Sequence, residues 1–235
     1  MDVYRPPGGG LRPAVLFVYG DAPPDYLSGA RRWGQYVSWG EAIAAAGMAA
    51  VVADHASSEA RTRMDAVLED IELAIAALSA RGDSWGIDPT RLAVWAGSAG
   101  VPYGTLAAMR AGVTVRCLVA YYGPFDLQPW REETPATVPD AALAEMSPIH
   151  ELESSPLQIP TLVVKAGLDQ QRINASIDEF VDRARSLGSQ IDLAVHDGGR
   201  HAFDVLDDDE RSRELIRDTI AFLSEHLNPA LQSVR

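Results

Sequence analysis

A single cysteine, Cys117, stands among the 235 residues, so no internal disulfide can form and packing alone must hold the fold. The apolar run VRCLVAYY around it marks Cys117 as a buried small hydrophobe, compatible with a reducing compartment. Basic residues are scarce: 20 Lys and Arg face 33 Asp and Glu, a net charge of −13, with an isoelectric point near 4.7. The few cations are scattered, and counterion release needs them clustered, so nucleic acid is excluded as an expected partner. Nowhere do about eighteen apolar residues run together, which argues against a membrane-spanning helix. Residues 1–12 lack the apolar stretch of a secretory signal, and the protein reads as cytoplasmic. His150, His196 and His226 show no ligand spacing with cysteine or with one another, so neither a metal nor another cofactor is expected. No repeat or low-complexity linker interrupts the chain.

What is present is the composition of an ordinary globular protein, 47% hydrophobic and 23% charged, sufficient for one substantial core and one domain over 1–235. Short β-branched runs at 14–19, 48–54, 91–96, 115–122, 160–166 and 190–196 read as strands, and their near-continuous apolar character suits buried parallel strands. Helical patterns lie between them. The clearest follows Ser57, a candidate N-cap, with Met64, Val67, Leu68, Ile71, Ile75 and Leu78 three or four apart and Arg81-Gly82 at its close. Others open in SWGEAIAAAG, after Ser98 (99–111), in SIDEFVDRARSLG and in ERSRELIRDTIAFLSEHL, the last behind an acidic stretch that favours its dipole. Strand and helix in alternation predict an α/β fold, a mostly parallel sheet with helices on both faces and no large cap domain. Residues 123–158, rich in Pro, Glu and Ser, read as an irregular excursion with short helical pieces over one end of the sheet.

Ligands meet a parallel sheet at the carboxyl ends of its strands, and Ser98 falls two residues past the strand 91–96. A sharp strand-to-helix turn there needs small neighbours two before and two after, and Ala96 and Gly100 supply them. AGSAG is thus a variant of G-x-S-x-G with Ala96 in place of the first glycine. The turn aims the hydroxyl outward and presents the amide of Ala99, at a helix N-terminus, to developing negative charge. A serine needs a base near neutrality, and the base needs an acceptor that fixes its tautomer. Asp169, after Gly167 and the strand 160–166, and His201, after the strand 190–196, both belong to the same sheet edge. Singly they are a turn former and a solvated ring; together, in the order Ser, Asp, His, they point to one site. Asp54 and His55 read mainly as anchors of the loop that follows them.

Three segments, GIDPTRLAVWAGSAG, SPIHELESSPLQIPTLVVKAGLDQ and GGRHAFDV, resemble the elbow, acid and histidine segments of α/β-hydrolases. Over roughly 2–227 the chain is similar to the dienelactone hydrolase-like esterases and their acyl-peptidase relatives. The resemblance implies a nucleophile Ser98, an acid Asp169, a base His201, and oxyanion donors in the amides of Ala99 and, from the segment Tyr19-Gly20-Asp21, Asp21. Departures from the family are Ala96 in the elbow, Tyr19 where a histidine is usual, and a carboxylate at Asp21. That carboxylate is expected to turn to water or to Arg31 or Arg32. The initial antiparallel strands shrink to one short piece in DVYRP, and pairing with a second copy, a homodimer, is one way to cover the exposed edge.

Dienelactone hydrolases use a cysteine nucleophile and an arginine shortly after the histidine; here Ser98 and the pair Asp204-Val205 stand instead, which disfavours an anionic lactone. Aromatics gather near the expected site: Tyr26, Trp33, Tyr36 and Trp39 behind the oxyanion segment, and Tyr103, Tyr122, Phe125 and Trp130 after strands of the same edge. Most would pack helices; those lining a cleft would suit a small neutral acyl or aryl ester. Tyr19, Gly20, Trp33, Tyr103 and Tyr122 are the expected substrate contacts. The reading is a serine carboxylesterase acting on a small-molecule ester, with a peptidase-like acyl hydrolase or a non-catalytic binding protein of the same fold as alternatives.

Overall fold

Apolar residues on both sides of a strand can be buried only if the strand is covered twice, and that requirement organises the chain. A computed structural model describes residues 1–228. Its strands are β1 (Asp2–Tyr4), β2 (Arg12–Val18), β3 (Ala49–Val52), β4 (Ile87–Gly97), β5 (Val115–Tyr121), β6 (Thr161–Ala166) and β7 (Ile191–His196). They form one seven-stranded sheet in the order β1-β3-β2-β4-β5-β6-β7. The short β1 pairs antiparallel with β3 at the edge, and the remaining pairings are parallel.

The helices are α1 (Pro24–Leu27), α2 (Gly34–Ala45), α3 (Met64–Arg81), α4 (Val101–Arg110), α5 (Asp140–Glu145), α6 (Pro148–Glu151), α7 (Gln171–Ser186), α8 (Phe203–Leu206) and α9 (Glu210–Leu227). Alternation along β2 sorts the core into two layers. Ala14, Leu16 and Val18 pack with Val67 and Ile71 of α3, Leu106 of α4 and Phe180 of α7. Val15 and Phe17, with Tyr19 just beyond the strand, pack on the other side with Tyr36, Trp39 and Ile43 of α2 and Leu215 and Leu223 of α9. Residues 123–158 contain a 3₁₀ turn, Gln128–Glu133, with α5 and α6, and no strand; Trp130, Leu143 and Leu152 join the first layer. Asp209 caps α9, its side chain accepting from the amide of Ser212 at 2.8 Å.

One expected start is displaced. Helix α3 begins at Met64 with no side-chain cap, and Ser57 instead donates its hydroxyl to the carbonyl of Ala22 at 2.6 Å. The reason is a turn across 58–63 in which Glu59, Ala60 and Arg61 have φ of +47°, +57° and +71°, so the chain cannot enter a right-handed helix directly after Ser57.

Among the described residues, no helix is long and apolar enough to cross a membrane. Cys117 lies within β5, fully buried, and burial pushes its thiol up to about 12. A thiolate is the reactive form, so a thiol-specific disulfide reagent should leave the native protein unmodified and titrate one group per chain only in denaturant. Stoichiometric labelling of the native protein would contradict this burial.

Candidate active site

Register brings the strand ends into line: Gly97 of β4 lies opposite Tyr121 of β5, Tyr121 opposite Val164 of β6, and Ala166 opposite His196 of β7. The loops after β4, β6 and β7 therefore emerge on one edge. Ser98 follows β4 with φ +54°, a left-handed conformation that a non-glycine residue adopts only at a sharp corner held by its surroundings. The corner is tight because a Cβ built on Gly100 would lie 2.3 Å from the carbonyl oxygen of Tyr19. Ala96 finds its room from α4, where a Cβ on Gly104 would lie 2.6 Å from that of Ala96. An alanine is accommodated at the first small position because its neighbour across the crossing is a glycine.

His201 and Asp169 meet Ser98 in a line of hydrogen bonds. Ser98 Oγ lies 2.8 Å from His201 Nε2, and His201 Nδ1 lies 2.6 Å from Asp169 Oδ2. A carboxylate only accepts, so the imidazole proton sits on Nδ1 and the Nε2 lone pair faces the serine hydroxyl. The Asp169 side chain is 2% exposed and that of His201 39%, so the carboxylate is sheltered while the imidazole stays open to a ligand. The second oxygen of Asp169 accepts from the amide of Gln170 at 2.7 Å.

A second polar group stiffens the wall behind His201. Tyr122, itself at φ +36°, sets its ring 4.9 Å from the imidazole, edge to face, and donates its hydroxyl to Asp204 Oδ1 at 2.5 Å. Asp204 Oδ2 accepts from Trp39 Nε1 at 2.8 Å and from Gln35 Nε2 at 3.0 Å. The position where the resemblance would place an arginine beside the histidine thus holds an acid serving three donors. Asp204→Ala would strand those donors and should cost about 1–3 kcal/mol of stability, measured by urea unfolding; an unchanged midpoint would count against the network.

The segment before α1 abuts the corner: a Cβ on Gly20 would lie 3.3 Å from Ser98 Cβ and 3.5 Å from the Ala99 nitrogen. The Asp21 carboxylate does not turn to an arginine. Its Oδ1 accepts from the Ser58 amide at 2.9 Å and its Oδ2 from the Ser58 hydroxyl, because the 57–63 turn brings two donors closer than either guanidinium. Arg31 instead lies 3.4 Å from both Asp2 and Asp54.

Tyr19 also departs from expectation. It is fully buried and lines neither cavity beside Ser98; alternation places it on the Phe17 side of β2, in the core. Burial first, and Asp54 next to it, push its phenol up to about 12, against the lowering effect of the His55 amide, which it accepts at 3.2 Å. His55 lies under it, Nε2 3.1 Å from the Tyr19 carbonyl, so Asp54 and His55 anchor the loop.

Ser98 and His201 line two cavities. The larger, about 370 Å³, is lined by Asp21, Ala99, Tyr103 and the apolar Leu127, Trp130 and Ile173, with Arg61. The smaller, about 230 Å³, is lined by Gly20, Trp33, Gln35, Tyr36 and Tyr122. Of the expected substrate contacts, Gly20, Trp33, Tyr103 and Tyr122 face a cavity and Tyr19 does not. Phe125 is stacked on Phe180 at 3.9 Å, Trp39 is buried in the core, and Tyr26 is exposed. Ser58, Arg61, Gln35 and Ile173 escaped the sequence reading; the signal for the first two was their place in the loop after β3, a strand ending at the same edge.

Among the described residues, one group has metal-ligand spacing: His196, Asp207 and Asp209, with atoms within 4.8 Å of one another. Its members already have protein partners. Arg200 Nε donates to Asp207 at 2.5 Å, Asp209 caps α9, and His196 Nε2 lies 3.1 Å from Ser212 Oγ.

No curated protein matches the chain. Among solved structures it is similar to an esterase of Pyrobaculum calidifontis, with a TM-score of 0.76 and 21% identity over 95% of this chain and 78% of that one. A Rhizomucor miehei esterase gives 0.76 and 18% over 97% and 79%, and esterase 2 of Thermogutta terrifontis gives 0.73 and 17% over 95% and 86%. At these identities the likeness establishes the fold alone, the α/β-hydrolase fold that the resemblance of the motif segments implies. The BD-FAE family model matches residues 1–186, most of the chain, and the protein therefore belongs to the BD-FAE family, an α/β-hydrolase esterase family.

Proposed function

We propose that the protein is a serine hydrolase that cleaves small neutral carboxylic esters through an acyl-serine, in the manner of the dienelactone hydrolase-like serine esterases its motif segments resemble. The observation that carries this reading is the hydrogen-bonded line from Ser98 Oγ through His201 to Asp169, whose first two members line two cavities. As Ser98 Oγ attacks the ester carbon, His201 Nε2 takes its proton, and Asp169 holds the imidazolium that forms. The amides of Ala99 and Asp21 serve the oxyanion; the Asp21 carboxylate is held by two hydrogen bonds from Ser58, which offset part of its charge. His201 then gives the proton to the leaving alkoxide as the C–O bond breaks. Water, deprotonated by the same nitrogen, releases the acid and restores Ser98.

The apolar side of the larger cavity supports a short acyl or an aryl group. Esterase 2 of Thermogutta terrifontis is known with propionate and with butyrate bound, and groups of that size are what we propose for this site. A panel of p-nitrophenyl esters run against aminoacyl anilides tests the reading. Turnover of the short-chain esters is expected, with the anilides left intact; preferential anilide cleavage would make it a peptidase, and inertness towards both would leave a binding protein.

A further inference from the structure

The larger cavity holds a cation that ester hydrolysis does not use. Arg61 lines it together with Ser98, Ala99 and His201. Among the described residues, its guanidinium donates to two neutral acceptors, the Glu133 carbonyl at 3.4 Å and Thr134 Oγ1 at 3.3 Å, both from Nη1. Nε and Nη2 make no hydrogen bond there, and no carboxylate forms an ion pair with it. The acids nearby have other partners: Asp21 hydrogen-bonds Ser58, Glu59 pairs with Arg63 at 2.9 Å, and Glu133 pairs with Arg172, although the Arg61 charge also acts on it. A planar fork of five donors, most of them unspent, is the group best matched to a carboxylate.

The backbone that presents Arg61 is built rather than slack. Three successive non-glycine residues, Glu59 to Arg61, lie in the left-handed region, which persists only where the surroundings enforce it and which concentrates at functional sites. Ser58 enforces it: its hydroxyl oxygen accepts from the Arg61 amide at 3.0 Å and donates to Asp21. One chain of hydrogen bonds therefore places both the Asp21 segment beside Ser98 and the cation across the cavity.

We propose that Arg61 binds a carboxylate borne by the substrate, so that the site takes esters carrying a carboxylate on their acyl or alcohol part in preference to neutral esters of equal length. The proposal rests on the esterase reading and departs from it in one respect: the preferred ester carries a carboxylate instead of being neutral. Although the protein is strongly acidic, its distant charges are screened over about 10 Å at moderate salt, whereas a guanidinium in direct contact is screened much less and weakens only at high salt.

The test measures kcat/KM by acid release for two matched series. On the acyl side, monoethyl succinate, glutarate and adipate are compared with the ethyl esters of butyrate, valerate and hexanoate; on the alcohol side, 3-acetoxypropanoate is compared with propyl acetate. In one series the charged member is expected to exceed its neutral counterpart by about tenfold or more, with the preference shrinking at high salt. Arg61→Gln should lower the charged-to-neutral ratio by about tenfold, and Arg61→Lys should retain part of it. Fluorophosphonate labelling of Ser98 checks that each variant is folded, and the wild-type ratios and their salt dependence stand without any variant. Neutral esters cleaved as well as or better than charged ones in both series, or a ratio unmoved by Arg61→Gln, overturns the proposal while leaving the esterase reading intact. No cleavage of any ester and no labelling of Ser98 overturns both.

Discussion

Ser98→Ala and His201→Ala should each lower kcat on a short-chain ester by about three orders of magnitude or more. The size follows from the geometry. An alcohol at neutral pH is a poor nucleophile, and the 2.8 Å contact between Ser98 Oγ and His201 Nε2 lets its proton leave as attack begins. Because the two side chains act as one unit, the double variant should be little worse than either single one. Asp169→Asn should also be severe, since an amide NH₂ facing Nδ1 would favour the tautomer whose Nε2 carries hydrogen and cannot accept from Ser98. Folding should survive, because Ser98 and His201 are each only half-buried. Each variant keeping a wild-type urea midpoint while losing turnover is the expected pattern; a variant with near-normal kcat would remove that residue from the chemistry.

The second large effect falls on stability. A methyl group at position 100 would lie 2.3 Å from the Tyr19 carbonyl oxygen and 2.9 Å from the Val18 carbonyl oxygen. Both belong to backbone at the end of a central strand, where nothing can rotate aside. Gly100→Ala should therefore destabilise the fold by about 1–3 kcal/mol and Gly100→Val by more, read as a fall in the urea midpoint at constant m. The same substitution should depress activity, because the backbone that must yield leads directly into the Gly20-Asp21 segment. At the companion crossing the conflict is between two side-chain positions, so Ala96→Gly should relieve part of the cost of Gly104→Ala. If Gly100→Ala is as stable as the wild type, the close approach of the two chains at the elbow is wrong.

That Ser98, Asp169 and His201 would meet was legible because each follows an apolar run, and in a parallel sheet the ends of such runs share an edge. Topology did the work that spacing along the chain could not. The fate of Tyr19 was equally open to inspection: it shares the period-two face of Val15 and Phe17, which buries it, but its neighbourhood to Gly20 and Asp21 suggested a contact with ligand. The partner of Asp21 was not legible, since Ser58 stands in a different βα loop, just before three residues in the left-handed region. Non-glycine residues in that conformation leave no mark in a sequence, so Ser57 looked like a helix cap and Arg61 like one more scattered cation. Asp204 shows the same limit from the other side. In the sequence it stands out only as a residue that is not an arginine, while its three donors come from α2 and from the residue after β5.

The central claim is that the hydroxyl of Ser98 is chemically activated, and treatment with a fluorophosphonate followed by peptide mass mapping tests it most directly. One adduct per chain on the peptide containing Ser98, absent from Ser98→Ala and strongly slowed in His201→Ala, is the expected result. An adduct on a different residue, or an unmodified chain under conditions that fully label a known serine esterase, would contradict it.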